Sequence, residues 1–278
     1  LLTVVFLSMF LIHSSYAQLD DKVFKDHIQS VRIFPLGAAF DSQLDAPSVS
    51  ISDSRPLILL FDDIAYDPEL YTAKLIHCDA NWQQSQLKDN DFLASFNEFN
   101  VQDYDYSVNT RLPYIHYRFA LPRVTKSGNY IVKVFKGRDE SDVILTKRFM
   151  VYEELFTVGA SIVPPARTQD RRSGQQVDVI VNYSKGEVMD PLNQVKVVIR
   201  QNQRWGQARL LGEPTFLNES SKVIRYQNFD GSNTFSAGNE FRFIDLRFIR
   251  ATGVNVASIE VQPDVIYADA LVDKPRES

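Results

Sequence analysis

Apolar residues recur along this chain mostly with a period of two, the spacing of half-buried β-strands. Residues 56–61 form a short apolar run closed by Asp62 and Asp63, which predicts a buried strand. In 71–78, Tyr71, Ala73, Leu75 and His77 share one face. In 114–121 the shared face is Ile115, Tyr117, Phe119 and Leu121. Tyr130, Val132 and Val134 repeat the pattern, and 143–152 is again rich in β-branched and aromatic residues. Between these last two strands lies 136–142, polar and carrying Gly137, which predicts a hairpin connection. Only 91–99 has helical spacing, with Asp91 as the expected cap and Phe92, Phe96 and Phe99 on one side.

Short strands punctuated by Pro, Gly, Asn and Asp predict an all-β fold of two consecutive immunoglobulin-like antiparallel β-sandwich modules. Ser127-Gly128-Asn129-Tyr130 precedes a strand as the late-strand Gly turn of such domains does. Gly128 is therefore expected to make the turn. Tyr130 is expected either to bury its ring and tie its hydroxyl to nearby backbone or to be an ordinary core tyrosine. A boundary is expected near 152–155, giving a first module over 18–154 and a second over 155–278. In the second, strands are expected at 156–163, 177–183, 195–201 and 222–226, with loops at Pro164-Pro165 and 170–174.

Residues 1–17 break the alternation. The first twelve are apolar and uncharged, and Ser15 and Ala17 occupy the small-residue positions before Gln18. That is the pattern of a secretory signal peptide, too short for a good membrane span. Export is thus expected, and no membrane span is expected after it. No Cys follows the cleavage position, which gives no support to a lipid anchor. The single Cys78 allows no internal disulfide. The chain has 278 residues, 44% of them hydrophobic, enough to bury a core without one. A net charge of −5 without a basic stripe argues against nucleic acid as a partner.

Phosphate-loop, dinucleotide and nucleophile-elbow motifs are absent. His77, Cys78 and Asp79 are potential metal ligands, but neighbouring strand residues point to opposite faces. His116 is left as a possible partner on a strand beside His77, and core or rim histidines are preferred to a metal site. Cys78 is read as a buried, inert thiol. Asp62-Asp63 is read as a turn with solvated or backbone-capping carboxylates, since a calcium loop needs more oxygen ligands. No cofactor, metal or small-molecule substrate is expected. Trp82, Phe92, Phe96 and Phe99 either pin a long loop to the sandwich, anchor a protein interface or stack on sugar.

Several runs of residues resemble one family in order. They are His77-Cys78-Asp79-x-Asn81-Trp82, Phe96-Asn97-Glu98, Asp103-Tyr104-x-Tyr106-Ser107-x-Asn109-Thr110 and Ser127-Gly128-Asn129-Tyr130. Further matches are Phe149-Met150-Val151, Gln176-Val177-Asp178, 195–198, Gln201-Asn202, Arg204-Trp205, 238–242 and Asp245-x-Arg247. The chain resembles the type IX secretion system plug family of Bacteroidetes-type bacteria. The resemblance implies a non-catalytic periplasmic protein associated with the outer-membrane secretion complex. Its partner would be the translocon barrel, whose periplasmic opening it plugs. The expected contact residues are Asn81, Trp82, Phe96, Asn97, Glu98 and Phe99, with Cys78, Gly128 and Tyr130 structural. Family members run further than this chain, so the resemblance also implies an incomplete second module. The alternatives are a carbohydrate-binding sandwich of an outer-membrane glycan-uptake system and the accessory module of a truncated glycoside hydrolase.

Overall fold

The computed structural model describes residues 20–39, 41–202, 204–237, 243–248 and 251–272. The expected signal peptide and the 238–242 run lie outside the described residues. The chain is all-β and divides after Glu153 into two compact units.

The first unit contains β1 (Lys22–Val23), β2 (Ile28–Pro35), β3 (Ser48–Ser50), β4 (Leu57–Asp63), β5 (Tyr71–Cys78), β6 (Phe99–Val101), β7 (Asp103–Tyr106), β8 (Ile115–Ala120), β9 (Gly128–Lys136) and β10 (Val143–Tyr152). One sheet runs β1-β10-β9-β5-β6, with β3 added parallel to β10. The other runs β2-β4-β8-β7 and is antiparallel. The inner faces of the two sheets form one core. Leu59, Phe61, Ile115 and Tyr117 come from one side, and Leu75, Tyr130, Val132 and Phe149 from the other. Each of these sets obeys the period-two alternation, so a slip of one residue would turn it to solvent.

The outer face of β9 is also closed. Ile131 is buried and stands in register with Ile76 and Arg148. Arg148 is itself covered, and its guanidinium lies 4.5 Å from the centroid of the Trp82 ring. The Asp20 carboxylate accepts from Arg148 Nη2 at 2.7 Å, and Asp21 Oδ1 accepts from its backbone N–H at 2.6 Å. A buried cation is tolerable only when it is paired in this way.

The helix falls earlier than the phenylalanine spacing predicts. It is a single turn, α1 (Asp89–Phe92), and Asp91 sits in its third position, accepting from the Lys88 N–H at 2.8 Å. Phe99 begins β6 instead, because pairing to β5 opposite Ala73 satisfies its backbone. Asp62 and Asp63 are not in a turn either. Both lie in β4, held by partners distant in sequence. Asp62 accepts from His116 at 2.5 Å, and buried Asp63 takes His27 on one oxygen and the Tyr71 hydroxyl on the other, each at 2.7 Å.

The second unit contains β11 (Thr157–Val163), β12 (Gly174–Asn182), α2 (Pro191–Gln194), β13 (Val198–Ile199), β14 (Arg209–Leu210), β15 (Phe216–Asn218), β16 (Val223–Tyr226), β17 (Thr234–Ser236), β18 (Val256–Val261) and β19 (Ile266–Ala270). A sheet β11-β12-β16-β15, with β17 also on β12, presents Val179, Val181, Ile224 and Tyr226 to a core. Val195 and Leu211, flanking the β13–β14 ribbon, close it. The strand expected over 195–201 is only Val198–Ile199, because the chain turns at Asn202, whose φ is +51°.

Candidate functional site

Two loops lie at one end of the first sandwich, one after β4 and one between β7 and β8. In register, Asp63 faces Ile115 across β4 and β8, and Ile115 faces Tyr106 across β8 and β7. Residues 64–70 and 107–114 therefore project side by side. Each carries apolar side chains into solvent. Tyr66 is 81% exposed, Leu70 73% and Val108 76%, with Ile64, Tyr106 and Leu112 also exposed. Scattered apolar residues on a surface need no explanation, but six exposed at one end make that end a candidate contact surface.

The loops are built to hold that display. The buried Tyr117 hydroxyl accepts from Glu69 N–H at 2.7 Å and donates to the Glu69 carbonyl at 3.0 Å, pinning the first loop. Tyr117 also stacks on Phe61, with ring centroids 4.9 Å apart. Burial pushes its phenol up to about 12, so it stays a donor. In the second loop, Ser107 donates its backbone N–H to the Tyr114 carbonyl at 2.9 Å. Its hydroxyl accepts from the Tyr114 N–H and from the Thr110 hydroxyl, both at 2.9 Å. Asn109 takes the left-handed conformation, φ +57°, which Asn tolerates better than most residues. The Ser107, Asn109 and Thr110 matches thus shape a turn that carries Val108. Polar turn residues around an exposed Val were the signal in the sequence for this site. That pattern predicts a turn but not which side chains the turn exposes.

The six expected contact residues do not form one surface. Trp82 is 3% exposed and Asn97 2%, so burial removes both from any contact made by the folded unit. Asn97 instead accepts from the Leu75 N–H and donates to the Leu75 carbonyl, both at 2.8 Å. Its amide takes the place of a strand along β5 beyond the last β5–β6 pair, Ala73 with Phe99. Phe99 is half-buried against the core. Asn81 and Glu98 are exposed, as is Phe96, at 78%.

Gly128 opens β9 beside His77, and a Cβ there would run into the His77 imidazole. Tyr130 is fully buried, and its hydroxyl donates to the Lys126 carbonyl at 2.7 Å. His77 and His116 lie on strands of different sheets, so the two do not face each other as neighbours. Among the described residues, no group of three or more His, Cys, Asp or Glu side chains is placed to hold a metal ion.

Cys78 is buried, and burial, with a smaller push from Asp79, raises its thiol to about 11. Its thiolate is therefore scarce near neutral pH and grows as pH rises toward that value. Thiol labelling of the native protein near neutral pH is expected to be slow and to become fast on unfolding. Cys78→Ala is expected to cost about 1 kcal/mol, the effect of a small cavity. Native labelling as fast as that of a free thiol overturns this reading.

Residues 28–153 match the family model described as the type 9 secretion system plug protein 1st domain. The first unit belongs to the type 9 secretion system plug family. The plug domain accordingly spans β2 to β10, with both loops of the exposed end inside it. A search of curated proteins found no match. A crystal structure of a hypothetical protein from Parabacteroides merdae ATCC 43184, at 2.30 Å resolution, is similar in fold, with a TM-score of 0.83 and 23% sequence identity. The match covers 92% of this chain and 64% of that one, so this chain spans less than two thirds of its length. Among the described residues, no helix is long and apolar enough to cross a membrane.

Proposed function

We propose that the protein is a non-catalytic periplasmic component of the type 9 secretion system that closes the periplasmic opening of the outer-membrane translocon barrel. The observation that carries this reading is the match of residues 28–153 to the plug 1st domain. Closing an opening requires a rigid body and a broad contact surface, and no bond is made or broken. The sandwich supplies the rigidity. The apolar end formed by Ile64, Tyr66, Leu70, Tyr106, Val108 and Leu112 supplies a surface of the right chemistry. Phe96 lies in the linker between α1 and β6, so it is a separate contact candidate. The export pattern of residues 1–17 supplies the compartment.

The test is affinity purification of the tagged full-length protein from its own cell envelope. An outer-membrane barrel is expected to co-purify. The pair Tyr66→Ser and Val108→Ser is expected to reduce its recovery about tenfold, equivalent to about 1.4 kcal/mol of contact energy. Both side chains are exposed, so the melting temperature should not move. If no barrel is recovered with the unsubstituted protein, the plug reading fails. If a barrel is recovered equally with the pair, the contact lies elsewhere on the protein.

A further inference from the structure

The opposite end of the first sandwich holds a slot between the two sheets. The chain crosses from β3 in one sheet to β4 in the other through residues 51–56, which form part of its wall. Five buried side chains line the inside: Leu57, Leu121, Val124, Phe149 and Val151. The space is about 110 Å³. An apolar cavity of about 150 Å³ takes a benzene molecule, so this one fits an isobutyl or isopropyl group and little more. A lipid chain is too long for it. A sugar ring would meet apolar side chains where its hydroxyls need partners.

The mouth is charged. Arg55 and Arg123 are the exposed cations of the lining. Asp53 already holds Arg55, with Nη2–Oδ2 at 2.8 Å and Nε–Oδ1 at 3.2 Å. Arg123 is different. Its Nη2 donates to the Ile51 carbonyl at 3.1 Å, and it makes no ion pair with a carboxylate among the described residues. An apolar slot of this volume, beside a cation with no carboxylate, is complementary to an aliphatic group next to a negative charge.

We propose that this slot docks a branched aliphatic side chain of a partner polypeptide whose adjoining residue is acidic. The aliphatic group fills the space above Phe149 and Val151, and the carboxylate meets Arg123. The site is at the other end of the unit from the exposed loops and does not depend on the plug reading.

The probe is the peptide acetyl-Ser-Leu-Asp-Ser-amide, titrated into the full chain with labelled Leu and Val methyl groups. Saturable shifts are expected at the Leu121, Val124 and Val151 methyls, at millimolar peptide. Replacing the peptide's Leu by Ala should abolish them. Replacing its Asp by Asn should weaken binding about threefold, the range of an exposed ion pair. Arg123→Gln should remove that difference while leaving the remaining methyl spectrum unchanged. No saturable shift up to about 10 mM peptide overturns the proposal. Equal binding of the Asp and Asn peptides overturns it too. So does binding of 4-methylpentanoate without binding of the peptide, which would make the slot a small-carboxylate site.

Discussion

Replacing Tyr130 with alanine is expected to destabilise the first unit by at least about 3 kcal/mol, as other buried aromatic truncations do. The ring is fully buried in an aromatic cluster. It stacks on Phe149 at 5.2 Å and meets His77 at 5.0 Å and Phe92 at 5.7 Å edge-on. Removing it leaves a cavity bordered by both the β9–β10 pair and α1, and none of these can collapse alone. The hydroxyl is a smaller part. It satisfies the Lys126 carbonyl in the loop before β9, so Tyr130→Phe should cost about 1 kcal/mol. Burial raises the phenol pKa, which keeps this donor protonated throughout the ordinary pH range. Calorimetry of the full chain measures both variants. The transition of the first unit should fall by about 10 °C for Tyr130→Ala and by only a few degrees for Tyr130→Phe. An unchanged transition in Tyr130→Ala shows that the ring does not hold this part of the core.

The strands of the first unit were legible wherever alternation coincided with clear punctuation. The 71–78 and 143–152 strands carry β-branched and aromatic residues at period two and end at Asp or Glu, and the structure places β5 and β10 there. β7 was not legible as a strand. Asp103-Tyr104-Asp105-Tyr106 alternates, but it has no aliphatic residue to mark a core face. Its pairing with β8 is reinforced by Arg118, which bonds both Asp103 and Asp105 at 2.9 and 2.5 Å. The helical spacing of Phe92, Phe96 and Phe99 misled because three phenylalanines can have three different fates. One lies in a helical turn and is buried, one is exposed in a linker and one begins a strand. Asp63 resisted for a related reason. A buried carboxylate reads as a turn until His27 and Tyr71 are known to converge on it. The apolar end shows the same limit. Composition near Val108 and Tyr66 does not reveal that the two loops share one end of the sandwich. The register of β4, β8 and β7 does.

Trp82→Ala should therefore act as a core mutation, unlike Phe96→Ala. Trp82 sits in the left-handed region at φ +61°, in a turn held by Asp79, whose carboxylate accepts from Asn81 N–H at 2.8 Å and Gln83 N–H at 3.0 Å. That turn brings the indole under the Arg148 guanidinium, a cation held largely out of water. Burial lowers the Arg148 pKa, and the Asp20 and Asp21 charges oppose the shift. The indole face stabilises the cation there, so its loss adds a cation–π cost to the cavity. The sum is expected at about 3–5 kcal/mol, against less than about 0.5 kcal/mol for exposed Phe96→Ala. Combining Trp82→Ala with Arg148→Met tests the coupling. The double variant should be less destabilised than the two single losses added together, by about 1 kcal/mol, because the side chains touch. The melting transition of the first unit and the recovery of the barrel are measured on the same proteins. A lowered transition in Trp82→Ala with unchanged Phe96→Ala stability assigns Trp82 to packing. Unchanged stability in Trp82→Ala, together with lost barrel recovery, would return Trp82 to the contact surface and show that its turn opens in the complex.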